Sequence, residues 1–235
     1  MDEKSLEAAL AEAFRQADAL DAPLEERLRF YLGESRKLLP DLESTYDNVV
    51  ERIRPNAAAN RVPAVGDKLP GFLLTDTEGH LVDLGSLLAK GPLVISFNRG
   101  PWCDYCGLEL RGLARAYPAI AAAGGDVVAI VPETAPYAKA LKKGSNLPFT
   151  VLTDMDLAYA LSLGLVFWVG DKIKDAYLKF GIDLAQFQGN PGWMLPIPAT
   201  LVVGSDGRIR ARFVDPDFRH RMGMETIFEA IAQAS

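Results

Sequence analysis

The chain has 235 residues, 49% hydrophobic and 24% charged, with a net charge of −6. This composition fits a soluble globular protein and excludes a disordered tail, a collagen-like fibre and a disulfide-stapled miniprotein. The acidic balance argues against a nucleic-acid or anionic-lipid footprint, and no apolar run approaches the roughly 18 residues of a membrane-spanning helix.

The start, Met-Asp-Glu-Lys-Ser-Leu, lacks the basic-then-apolar pattern of a secretory leader, so a cytoplasmic location is expected. Residues 1–60 read as a helical extension. Leu6, Leu10, Phe14 and Ala17 recur at spacings of three and four. Pro23 suits the first turn of a second helix through Leu28, Tyr31 and Leu32. After Pro40, a third periodic segment runs through Leu42, Tyr46, Val49, Val50 and Ile53, and Pro55 with the 56–60 stretch marks a boundary. The extension is either an extra helical layer or a contact for a partner or a second copy. Both readings stay open, and a homodimer is one of them.

From Val62 the pattern becomes short apolar strands alternating with helices. Phe72–Leu74 and Leu81–Val82 flank a Thr77-Glu-Gly79 turn, which predicts a hairpin. Pro92–Phe97 is almost wholly apolar, as a strand covered on both faces should be. A helix through Leu108, Leu113 and Tyr117, a strand at Asp126–Val131, a helix capped by Thr134 and a strand at Phe149–Leu152 follow. Asp154 and Asp156 read as helix-cap residues. Gly164–Gly192 is a mixed insertion with a helix near Asp171–Phe180. Ala199–Val203 and Ile209–Val214 make a second hairpin, and a helix from Met224 closes the chain. Residues 61–235 are therefore expected to form an α/β domain, a mixed central sheet flanked by helices.

The chain has two cysteines, Cys103 and Cys106, in the sequence Phe97-Asn-Arg-Gly-Pro-Trp-Cys-Asp-Tyr-Cys106 that joins a buried strand to the next helix. A thiol at a helix N-terminus meets unpaired N–H groups and the positive end of the dipole, which favour the thiolate. Cys103 takes that place, and Cys106 lies one turn on, facing inward and placed to attack an oxidised Cys103. Gly100 and Pro101 shape the turn, Trp102 offers an apolar wall, and Arg99 either adds positive charge or is solvated, the second being the plainer reading. Metal binding would need further ligands, and the two histidines, His80 and His220, show no paired spacing. A structural disulfide across so short a loop is the other alternative. A redox-active pair needing neither metal nor organic cofactor is favoured.

At these residues the sequence resembles the thioredoxin superfamily, and more closely the peroxiredoxin-like AhpC/TSA group with its Phe-x-Arg-Gly-x-Trp-Cys-x-Tyr-Cys signature. The resemblance covers roughly residues 62–235 and continues through Leu195-Pro-Ile-Pro-Ala-Thr200 and the final hairpin. It implies a thioredoxin-like fold, a cis peptide bond before Pro198 beside the cysteines, and Cys103, Cys106, Arg99, Gly100, Trp102, Asp104, Tyr105, Pro198 and Thr200 as the site. It also shows departures. Gly100 stands where peroxiredoxins place a threonine three residues before the reactive cysteine, and Pro198 enters the later strand where they donate an arginine. Arg99, or one of Arg208, Arg210 and Arg212, would have to substitute, although those last three read as a solvated strand face. Asp104 replaces a common proline, and a carboxylate there should oppose thiolate formation on Cys103.

Taken together, these features lead to the expectation of a thiol-based antioxidant oxidoreductase, leaning towards thiol–disulfide exchange, with a dedicated hydroperoxide reductase as the alternative and a redox sensor or docking scaffold as the third. Electrons would come from thioredoxin, glutathione or a similar thiol. Met222 and Met224 are expected in the core, and Trp168 and Trp193 either there or along a substrate groove.

Overall fold

A computed structural model describes residues 2–56 and 61–234; residues 57–60, within the expected boundary, lie outside them. The N-terminal periodicity resolves into three helices: α1 (Glu3–Ala19), α2 (Leu24–Leu38) and α3 (Pro40–Ile53). Asp2 caps α1 by accepting the Ser5 N–H at 2.8 Å, Pro23 precedes α2 and Pro40 opens α3. Proline costs no helical bond at a first turn, because that N–H has no partner there.

The hairpin of β1 (Leu73–Asp76) and β2 (Leu81–Asp83) leads through α4 (Leu84–Leu88) into β3 (Leu93–Phe97). Then come α5 (Asp104–Ala122), β4 (Asp126–Val131), α6 (Ala135–Gly144) and β5 (Thr150–Thr153). After α7 (Ala158–Ser162), the expected insertion holds β6 (Val166–Trp168), α8 (Asp171–Lys179) and α9 (Leu184–Gln188), and β7 (Met194–Pro196) follows it. The chain closes with β8 (Ala199–Val203), β9 (Ile209–Val214) and α10 (Met224–Ala232).

Seven strands form one mixed sheet in the order β2-β1-β5-β4-β3-β8-β9, while β6 and β7 make a separate ribbon. β3 lies near the centre, parallel to β4 and antiparallel to β8. Strand alternation sorts its side chains: Leu93, Ile95 and Phe97 join one core cluster and Val94 the other. Each fully buried aliphatic side chain of this kind contributes about 1.5–3 kcal/mol. Ser96 and Thr200 are register partners across β3 and β8. A third cluster joins Ala13, Ala17, Leu24, Leu28 and Tyr31 of the first two helices to both cysteines, Tyr105, Leu108 and Phe218. The N-terminal helices are therefore packed on the thiol end of the domain.

Asp154 does cap, its two carboxylate oxygens accepting the N–H groups of Tyr159 and Ala160. Thr134 stands at the N-cap of α6 without a side-chain cap bond. Met222 and Trp193 are buried, Met224 packs at the core's edge and Trp168 is half exposed. No helix among the described residues is long and apolar enough to cross a membrane.

Candidate active site

Cys103 is the N-cap of α5, and its Sγ accepts the Cys106 N–H at 3.4 Å. Both cysteines are reduced and buried, Cys103 5% exposed and Cys106 not at all. Cys103 lines a cavity of about 300 Å³ together with Arg99, Trp102, Tyr46, Tyr177 and Phe218.

The surroundings of the two sulfurs favour ionisation of the deeper one, whereas the sequence pointed to Cys103. The Cys106 Sγ accepts the Arg99 backbone N–H at 3.4 Å and an Arg221 guanidinium N–H at 3.5 Å. Burial opposes ionisation of Cys106, but the Cys103 thiol together with Arg221 and Arg99 outweighs it and brings its pKa down to about 6. Burial and the neighbouring Cys106 push Cys103 up, in spite of the same two arginines. The helix N-terminus does hold Cys103, but desolvation and the second sulfur override the dipole.

Arg221 is held in turn by Glu109, whose carboxylate accepts its Nε at 2.6 Å and the hydroxyls of Thr200 (2.8 Å) and Ser96 (3.2 Å). Thr200 thus supports the site through Glu109. All four residues are buried, so the ion pair keeps a fixed geometry with its polar groups satisfied.

Arg99 corrects the reading of a solvated loop residue, since only 2% of it is exposed. Strand β3 carries it inward, where its guanidinium lies 3.8 Å from the Phe218 ring centroid and 5.0 Å from that of Trp102. Nη2 donates to the Tyr177 hydroxyl, whereas Nε and Nη1 have no protein acceptor. No carboxylate among the described residues forms an ion pair with it, and both cysteines act on its charge. Arg208 and Arg210 pair with Asp206, Arg212 donates to the Val62 carbonyl, and none of the three lines the Cys103 cavity.

Gly100 has φ +143°, and a Cβ there would run into the Glu133 carboxyl and come within 2.6 Å of Trp102 Nε1. Glu133 is fully buried with neither oxygen hydrogen-bonded, and burial holds its carboxyl well above the usual range. Asp104 faces the N-terminal helices and accepts the Tyr31 hydroxyl. Burial raises the Asp104 pKa while that bond lowers it, with a net rise. Tyr105 donates to Glu43 at 3.2 Å, and its ring meets Tyr31 and Phe218 edge to face.

Pro198 departs from expectation, because no peptide bond among the described residues is cis. Pro196 still pairs with Val166 in the small ribbon, and the Ile197 N–H donates to Leu165 at 2.6 Å. The chain therefore runs extended from β7 into β8 and enters through a trans proline. His80 and His220 sit beside Asp76 and Asp215 in surface turns.

Arg221, Glu109, Glu133, Tyr177 and Phe218 escaped the sequence reading. Glu109 alone carried a local signal, a carboxylate one turn after Cys106 on the apolar face of α5.

The AhpC/TSA family model matches residues 65–212. A thiol-disulfide oxidoreductase ResA of Bacillus subtilis is 30% identical over 145 residues, 61% of this chain and 64% of that protein. A Bacillus cereus protein of the same name is matched over 51% of its length, so the chain spans about half to two thirds of these relatives. Among solved structures, peroxidoxin BcpB of Mycobacterium tuberculosis superposes with a TM-score of 0.54 at 18% identity, over 72% of this chain and 95% of that one. Peroxiredoxin 6 of Arenicola marina gives a TM-score of 0.55 at 16% identity, over 72% of each chain. At these identities the structures establish a shared thioredoxin-like fold. The family match spans more than half of the sequence and coincides with the strand–loop–helix unit that carries the dithiol, and the chain belongs to the AhpC/TSA family.

Proposed function

We propose that the protein is a thiol-based hydroperoxide reductase, in which Cys103 and Cys106 cycle between dithiol and disulfide. The observation that carries this reading is Arg99: a buried guanidinium with two nitrogens, Nε and Nη1, free of protein acceptors, lining the same cavity as Cys103. Such donors, desolvated and fixed by the aromatic rings around them, suit an O–O bond whose leaving oxygen becomes negative. They fill the role that the glycine at position 100 left vacant.

Cys103 attacks, because it is the sulfur that reaches the cavity, and Cys106 acts first as its base and then as the resolving thiol. Cys103–SH and ROOH give Cys103–SOH and ROH, the thiol proton passing by way of Cys106 to the departing alkoxide. The Cys106 thiolate then attacks the sulfenic sulfur, forming the disulfide and expelling hydroxide, which takes a proton to become water. Two electrons leave the sulfurs and reduce the peroxide.

In the same reading residues 1–60 are an appended helical unit, residues 61–235 the redox domain, and a thiol donor in the cytoplasm restores the dithiol. Arg99, Gly100, Trp102, Asp104, Tyr105 and Thr200 support the cysteines. Thiol–disulfide exchange is the second reading, favoured by the Cys-x-x-Cys spacing and by the name of the Bacillus relatives.

Stopped-flow tryptophan fluorescence of the reduced protein with hydrogen peroxide tests the proposal, with intact mass following the 103–106 disulfide. A second-order rate at least a thousandfold above that of a free thiol is expected, and Cys103→Ser should abolish it. A rate like that of a free thiol, with fast exchange against a model disulfide, would replace the first reading by the second.

A further inference from the structure

The extension and the thiol end meet in a way that bears on what can reduce the disulfide. Besides the domain's own residues, the cavity over Cys103 is walled by Leu10 and Ala11 of α1, Tyr31 of α2, and Leu42 and Tyr46 of α3. The three helices are fastened there by polar contacts. Tyr31 donates to Asp104, next to the cysteine. Glu43 of α3 accepts from Ser35 at 2.6 Å, Tyr105 at 3.2 Å and Arg219 at 3.0 Å. Asp18 of α1 accepts from Arg111 at 3.1 Å and Arg115 at 2.7 Å on α5. Gly107, directly after Cys106, lets the Phe14 ring lie so close that a Cβ would come within 3.1 Å of it.

We propose that these helices restrict the electron donor to a low-molecular-weight thiol, which enters the cavity and attacks Cys103, and that they bar a folded protein dithiol. This rests on the reading that the pair cycles through a disulfide, whatever oxidant forms it. Thiol–disulfide exchange needs the attacking sulfur in line with the S–S bond at bonding distance. A protein donor presents its thiol from a broad surface, and α1, α2 and α3 occupy the space that surface would need. A cavity of about 300 Å³ admits a small molecule instead.

The chemistry balances with two equivalents of donor. A thiolate RS⁻ attacks Cys103 Sγ, forming RS–S–Cys103 and releasing Cys106 as a thiolate. Arg221 and the Arg99 N–H, both within 3.5 Å of that sulfur, make it a good leaving group. A second RS⁻ attacks the donor sulfur of the mixed disulfide, giving RSSR and free Cys103. The two electrons gained by the protein are those lost by two RSH.

The test uses the full chain, oxidised with diamide and checked by mass for the 103–106 disulfide. It is then mixed with glutathione or with reduced thioredoxin at equal thiol concentration. The rate constant per thiol should be at least tenfold higher for glutathione. In Asp18→Ala, which removes the ion pairs between α1 and α5 outside the cavity, the thioredoxin rate should rise tenfold or more while the glutathione rate stays within threefold. A thioredoxin rate equal to or above that of glutathione in the wild type overturns the proposal. A variant that folds but leaves the thioredoxin rate slow overturns the assignment to the helices. Should the variant not fold, alkylation of the reduced wild type decides: iodoacetamide should modify Cys103 at least a hundredfold faster than a polymer-linked maleimide, after scaling to their rates with a free thiol, and equal scaled rates refute the barrier. If diamide yields no disulfide, the cycle itself fails and the donor assignment with it, whereas a fast thioredoxin reaction leaves the cycle standing.

Discussion

Replacing Arg221 by methionine removes the side chain that reaches Cys106 Sγ at 3.5 Å while keeping much of its volume. Two unit charges at that distance interact by about 4–5 kcal/mol at an effective dielectric constant of about 20. The Glu109 carboxylate, 2.6 Å from Arg221 Nε, cancels a good part of this field at the sulfur. A residual effect of about 1.4–2.8 kcal/mol corresponds to one or two pH units. The first thiol ionisation of the pair, held on Cys106 at about 6, should therefore rise to about 7–8 when both charges are removed, and further in Arg221→Met alone, where the Glu109 carboxylate stays beside the sulfur. Thiolate absorbance at 240 nm against pH reads this directly, with the disulfide form as baseline. The single variant also strands a buried carboxylate, costing about 3–5 kcal/mol of stability. Glu109→Gln combined with Arg221→Met should recover most of that stability and still show a raised thiol midpoint. A midpoint within a few tenths of the wild type in both variants would refute the view that Arg221 sets the charge on Cys106.

Two further outcomes follow from the same geometry. Cys106 ionises more readily in the folded protein than in the unfolded chain, so its contribution to stability is present above the unfolded thiol value and disappears as pH falls through about 6. The reduced form should gain stability between pH 6 and 8, by at most about 1.4 kcal/mol per pH unit, relative to the disulfide form, as read from urea midpoints. Burial raises Cys103, which opposes the gain only above the ordinary thiol value, and Glu133 is present in both forms. A reduced-minus-oxidised difference that is flat over this window would contradict the charge assignment. Gly100→Ala should destabilise the fold by about 2–4 kcal/mol, because the added Cβ meets the buried Glu133 carboxyl at a φ of +143°. A thermal midpoint equal to the wild type would show that Glu133 moves aside freely.

Local chemistry made much of the fold legible. Pro92–Phe97 read as a fully covered strand because its run is too short and too apolar for anything else, and β3 occupies it with every residue buried. The helices of the extension were legible from apolar spacing, and the Cys-x-x-Cys at a strand–helix junction announced redox chemistry. The helix faces did not say what they cover, since an apolar stripe fits a layer, a dimer or a partner equally well. Their actual neighbour is the dithiol.

Charge within the site was decided only by tertiary structure. Local sequence placed Cys103 at a helix N-terminus, where it is the N-cap of α5, and inferred its thiolate from that place alone. The opposing influences come from Arg221, 115 positions after Cys106, and from a desolvation that depends on helices 60 or more residues earlier. Arg99 read as solvated because an arginine in a loop usually is, yet the rings of Phe218, Trp102 and Tyr46 converge on it from three separate segments. The sequence by itself determined the strand–helix order, the redox pair and the family resemblance, all of which rest on neighbouring residues. Which sulfur carries the charge, and what can reach it, follows from burial and long-range contacts, and these exist only once the chain has folded.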